Sequence, residues 1–267
     1  MAVNKNSNGY TFLFSTVMVV VVGAALAITS QSLKPLQTKN DADKKRIDIL
    51  GAIQVKATRE NAAQMFDQYV VERVAINYNG DVLNTKSGAI DATDKNDPFN
   101  VDIQKEYRAD VKKIVKESGK NQEEMAKRLA AAPVSFPLFK CNKDGEVLYV
   151  IPVVGTGLWG PIWGYVALKD DKQTIYGAKF DHKTETPGLG AEIKESFFQE
   201  KFENKTLNTS SETVFSVVKG GAPTNEHSVD GITGGTVTSK GVDEMINRTL
   251  KVYIKYFESV NNQRAQR

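Results

Sequence analysis

The sequence predicts an α+β domain, a mainly antiparallel sheet with packed helices, preceded by one N-terminal transmembrane helix. Three observations predict it. Residues 10–28 are uncharged and mostly apolar, β-branched and aromatic runs gather between residues 146 and 218, and Val242, Ile246, Leu250, Tyr253 and Phe257 recur at helical spacing near the C-terminus.

Composition narrows the function classes. At 267 residues, 40% hydrophobic and 25% charged, the chain has room for one large or two small domains. Its net charge of +3, with basic and acidic residues interleaved, offers no basic stripe for nucleic acid. Cys141 is the only cysteine, which excludes an intrachain disulfide, an iron–sulfur centre held by this chain alone and a Cys-rich zinc site. It reads as a buried small hydrophobe. With only His182 and His227 besides, no metal site is expected.

The elements follow in order. After a short tail at residues 1–9, a helix over residues 10–28 rises about 28 Å, close to the ~30 Å of bilayer hydrocarbon. It reads as a retained single-pass anchor. A cleaved signal peptide is the alternative, since Lys5 precedes the run and Ala25-Leu26-Ala27 resembles a cleavage site, but the run exceeds the roughly 7 to 15 residues of a signal core. Lys34, Lys39, Lys44, Lys45 and Arg46 follow the span against Lys5 before it, so a positive-inside count alone places the large domain in the cytoplasm.

Residues 29–75 read as a helical stalk and lead-in, with Ile47, Leu50, Ile53 and Ala57 on one side and a second helical run over residues 60–74. Residues 84–100 are polar and read as a loop, whereas 101–117 and 123–131 read as amphipathic helices that end before Pro133. Strand signals begin near Gly145, over residues 146–154, 163–168 and 173–180, with 213–218 as a further short strand of the sheet. The last helix, over residues 239–258, packs its apolar face on that sheet and leaves Thr236 just outside its N-terminus. The soluble domain then covers residues 76–267.

Residues 230–239, Asp-Gly-Ile-Thr-Gly-Gly-Thr-Val-Thr-Ser, stand directly before that helix. Glycine permits left-handed backbone and close approach, and free amides at a helix start attract an anion. The stretch is either a phosphate site or a plain helix-capping turn. It is neither a Walker loop nor a dinucleotide fingerprint. Two other glycine-rich stretches can wall a flat ring. In residues 155–165, Leu158 and Trp159 can cover it beside Gly160. In residues 181–192, Pro187 and Gly188 mark a turn, Gly190 allows close backbone approach, and Thr184 and Thr186 offer hydroxyls. His182 and Glu185 look like an acid/base pair and are read as orienting groups. Structural turns flanked by core aromatics are the alternative.

Asp230-Gly231-x-Thr233-Gly234-x-Thr236-x-Thr238-Ser239 resembles the flavinylation motif of the FMN-binding domain family. The resemblance extends over nearly the whole chain, since the N-terminal anchor, Leu158-Trp159-Gly160, the His-Lys-Thr-Glu-Thr-Pro-Gly-Leu-Gly run at residues 182–190 and the threonine motif come in the family's order. Within the family the chain is most similar to the flavinylated subunits of sodium-translocating NADH:quinone reductases, and next to those of Rnf complexes. Thr233 stands where the family often has Ser, and Gly235 where Ala is usual.

The resemblance implies that Thr236 carries FMN through a phosphoester, attached by a flavin transferase that uses FAD. It implies that Thr233, Gly234, Gly235, Thr238, Ser239, Leu158, Trp159, Gly160, Glu185, Thr186, Gly188 and Leu189 line the cofactor site, with no catalytic side chain and no metal. The implied function is a membrane-anchored electron carrier of a sodium-translocating NADH:quinone reductase. It would pass electrons from an iron–sulfur centre in neighbouring subunits to a second flavin, its large domain on the periplasmic side of a bacterial inner membrane, against the charge count. A subunit of an Rnf-type ferredoxin:NAD oxidoreductase is the alternative within the class. Outside it stands an anchored binding or assembly module without a cofactor.

Overall fold

The computed structural model describes residues 7–119, 121–220 and 224–265; Lys5 and the rest of residues 1–6 lie outside them. The chain divides into two compact units, Met1–Lys45 and Arg46–Arg267. The first is helical. Helix α1 (Asn8–Ala52) starts ahead of residue 10 and continues through Pro35 into the second unit. Phe12, Leu13, Phe14, Leu26 and Ile28 are exposed along it, and by length and composition it can cross a membrane.

The second unit is built on one antiparallel sheet. Strands β1 (Val70–Ile76), β2 (Val82–Lys86), β3 (Phe136–Lys143), β4 (Glu146–Thr156), β5 (Pro161–Leu168) and β6 (Ile175–His182) lie in the order β2-β1-β3-β4-β5-β6. Side chains alternate across a strand, and here both faces are covered. On one face Leu138, Ile151, Val153 and Val166 join Val242, Met245, Ile246, Leu250, Tyr253 and Phe257 of the C-terminal helix in one core. On the other, Phe66 of α2 (Ala62–Tyr69) meets Phe139 at 6.2 Å and Phe99 at 5.2 Å, both edge-on. Double coverage explains why β4 is an unbroken apolar run, since each fully buried aliphatic or aromatic side chain contributes about 1.5–3 kcal/mol. Cys141 is buried in β3, and burial pushes its thiol up to about 12.

Several expectations change. Residues 70–74 are strand rather than helix, because the β-branched Val70, Val71 and Val74 lie in β1, which pairs with β2 on one side and β3 on the other. Asn84, Thr85 and Lys86 belong to β2, so the irregular segment begins at Ser87. That segment is pinned by Arg73, whose guanidinium donates to both carboxylate oxygens of buried Asp97, at 2.9 and 2.7 Å, and to the Gly88 carbonyl. Strand β3 precedes the first expected strand; Pro137 and the polar Lys140, Asn142 and Lys143 mask its pattern.

Residues 101–117 fold as α3 (Ile103–Glu106), a π turn (Tyr107–Val111) and α4 (Lys112–Ser118), followed by α5 (Gln122–Ala131). Of residues 213–218, only β7 (Ser216–Val218) is a strand. It pairs in parallel with β8 (Ser228–Asp230) in a separate two-stranded sheet, so it adds nothing to the main one. After α6 (Ser196–Gln199), the last helix α7 spans Thr236–Ala265, which makes Thr236 its first residue rather than a residue outside it.

Candidate functional site

Residues 230–239 connect β8 to α7 and are held at both ends. Lys201 donates to the Asp230 carbonyl at 3.2 Å and to its carboxylate at 3.4 Å, while Gly231 N donates to Val218 O at 3.0 Å. In the turn that follows, Gly235 N donates to Ile232 O at 3.0 Å and Gly234 takes φ +78°, a left-handed conformation that glycine adopts without strain. Ser239 closes the cap, since its Oγ accepts from Ile232 N at 2.9 Å and its amide donates to Gly235 O at 2.9 Å. Among the described residues, the amides of Thr236, Val237 and Thr238 have no acceptor. They form the positive end of a long helix, a place suited to an anion.

Two further segments converge on this turn through one carboxylate. Glu185 is 4% exposed; its Oε1 accepts from Trp159 N at 2.8 Å and its Oε2 from the Thr238 hydroxyl at 2.6 Å. A Cβ on Gly157 would overlap Oε1, and one on Gly190 would overlap both Oε2 and the Thr238 hydroxyl. The glycines expected to admit a flat ring therefore admit protein atoms here; a Cβ on Gly160 likewise meets the Thr184 hydroxyl.

The first of those segments is the tip between β4 and β5, closed by Gly157 N donating to Gly160 O at 2.8 Å with Leu158 and Trp159 at its apex. The second is the loop after β6, where Leu189 N donates to Thr186 O at 3.1 Å around Pro187 and Gly188, the latter at φ +77° as a type II turn requires. Gly188 N donates to Glu192 at 2.8 Å. His182 Nδ1 accepts from Glu185 N at 3.2 Å, so the neutral ring carries its hydrogen on Nε2, a buried atom with no partner among the described residues.

Exposure separates the candidate residues. Thr238 and Ser239 are buried and both hydroxyls are engaged, whereas Thr236 is half-buried and Thr233, Gly234, Thr186 and Gly188 are exposed. Leu158, Trp159 and Leu189 are large apolar residues left in solvent at 54, 66 and 43% exposure, around a polar helix start. Val237, half exposed beside Thr236, joins that rim without having been singled out from the sequence. Its one signal is being the apolar residue between two threonines at a helix start. An apolar rim around free amides suits a ligand with a flat apolar body and an anionic tail.

Comparison with known proteins agrees with this chemistry. Residues 157–251 match the FMN-binding domain family. The chain is 28% identical over 242 residues to the Na(+)-translocating NADH-quinone reductase subunit NqrC of Haemophilus ducreyi, spanning 90% of this chain and 88% of that protein. A crystal structure of the same reductase subunit from Parabacteroides distasonis superposes with a TM-score of 0.66 at 35% identity, covering 84% of this chain and 96% of that one. The NqrC structure of Shewanella oneidensis superposes at 0.56 with 24% identity, over 83% and 96% of the two chains, and bears on the fold alone.

Proposed function

Because the chain belongs to the NqrC family of Na(+)-translocating NADH-quinone reductase subunits, and is thus an FMN-binding electron-transfer subunit, we propose that Thr236 holds its FMN through a phosphoester. With one helix fit to span a bilayer and relatives in a membrane reductase, the protein is membrane-anchored. The residues present fit FMN. The unpaired amides of Thr236, Val237 and Thr238 suit a phosphodiester, Leu158, Trp159, Leu189 and Val237 offer apolar surface to the ring, and His182 Nε2 is a donor without a partner.

The observation that carries the choice of Thr236 is the state of the hydroxyls in the motif. Thr238 donates to Glu185 and Ser239 accepts from Ile232, while Thr236 stands half-exposed at the first helical position. No base or metal cluster lies among the described residues to activate that hydroxyl, so attachment falls to a separate flavin transferase. FMN supplies the redox chemistry when bound. The protein's share is to hold the phosphate at the helix start, shield one part of the ring with the β4–β5 tip and keep the cofactor from being lost.

In the assembled reductase, the flavin of this subunit would take electrons from an iron–sulfur centre in neighbouring membrane subunits and hand them to a second flavin. Residues 76–267 would form the FMN-binding domain on the periplasmic side, where a covalent link guards against loss of cofactor.

Intact-mass analysis and denaturing-gel fluorescence of the full chain, co-expressed with a flavin transferase, test the attachment beside Thr236→Ala. One FMN adduct, absent from the variant, is expected. No adduct in either would make residues 230–239 a helix cap and favour an anchored assembly module.

A further inference from the structure

The geometry points to Glu185 as the positioning residue of this site: its buried carboxylate ties the β4–β5 tip to the first turn of α7 and keeps the Thr238 hydroxyl out of flavin attachment. This role rests on the reading of Thr236 as the attachment residue.

Both oxygens of Glu185 accept donors from the protein, Trp159 N at 2.8 Å and the Thr238 hydroxyl at 2.6 Å, and only 4% of the residue is exposed. A carboxylate so occupied acts on a ligand through the groups it holds. Hydrogen bonds to a charged acceptor are shorter and about twice as strong as neutral ones, so this junction is stiffer than the turns it joins. Trp159 is thereby set at a fixed place relative to Thr236, two residues before Thr238 on the same helical turn. The cradle fits a carboxylate closely, since a methyl group at either Gly157 or Gly190 would overlap it.

Three hydroxyls in the motif could compete for one flavin phosphate. The proton of Thr238 is committed to Glu185 and its side chain is 1% exposed, and residues two apart on a helix do not share a face. Selection of Thr236 over Thr238 is therefore built into a contact that spans 53 residues of sequence.

The test uses the full chain with Glu185→Leu, Thr238→Val, Thr238→Ser and Thr236→Ala. Made without the transferase, Glu185→Leu should speed amide exchange at Trp159 at least tenfold relative to Ile246 in the core. Made with it, Glu185→Leu should lower FMN adduct per folded molecule about tenfold and Thr238→Val several-fold. Thr238→Ser, which keeps the donor, should match the parent chain.

Should Glu185→Leu not fold, Thr238→Val against Thr238→Ser decides. Full adduct yield in Thr238→Val, or Trp159 exchange no faster in Glu185→Leu, overturns the positioning role while leaving Thr236 as the attachment residue. A parent chain without adduct, or an adduct that survives Thr236→Ala, overturns the attachment reading and this role with it.

Discussion

Glu185 Oε2 accepts a 2.6 Å hydrogen bond from the Thr238 hydroxyl, and Gly190 lies so close to both that no larger residue fits between them. A loop after the sixth strand and a helix at the end of the chain are joined there with no room to spare.

Gly190→Ala is therefore expected to part the pair. Overpacking of this kind costs about 1–3 kcal/mol, and the separated buried carboxylate adds to it. Urea unfolding of the variant should show a lower midpoint, and its folded fraction should carry less FMN adduct than the parent.

Arg73 and Asp97 form the other closed polar contact, 1 and 2% exposed and bonded through two nitrogens. Asp97→Ala leaves a guanidinium buried without its partner, at a cost of about 3–5 kcal/mol. Replacing both residues with apolar ones of similar volume should recover much of that loss in urea titrations. The contact sits at the opposite end of the sheet from β6, so flavin adduct per folded molecule should not change.

Asp243 gives a pH dependence. Burial raises its carboxyl above the ordinary aspartate value; the Val217 amide opposes this and the adjacent Glu244 adds to it. A raised pKa means that the folded chain binds the proton more tightly than the unfolded one, so stability falls as pH climbs through the raised value. Asp243→Asn, which can still accept from Val217 N, should melt higher than the parent at about pH 7 and lose that advantage toward about pH 4.

Trp159 is two-thirds exposed, and its truncation should move stability by no more than about 0.5 kcal/mol. If its ring covers the flavin, Trp159→Ala should brighten the fluorescence of the folded holoprotein while the adduct mass stays the same.

Local patterns were readable in the sequence, and distant pairings were not. The apolar run in α1 and the stripe Val242, Ile246, Leu250, Tyr253 and Phe257 repeat within a few residues, so each announces a helix without knowledge of its neighbours. Val70 to Val74 become a strand only because Val74 lies opposite Leu138, a partner far along the chain. The motif at residues 230–239 displayed its hydroxyls and glycines, yet which hydroxyl stays uncommitted depends on Glu185. Gly157 and Gly160 looked like room for a ring; each faces a protein side chain, Glu185 and Thr184.

Thr236 opens a helix whose following turns, at Val242, Met245, Ile246 and Leu250, are buried against the sheet. No swinging arm lies between that threonine and the core. A group fastened there can travel only as far as the body of residues 46–267 travels, so its reach from one redox partner to the next is a property of the domain's own excursion.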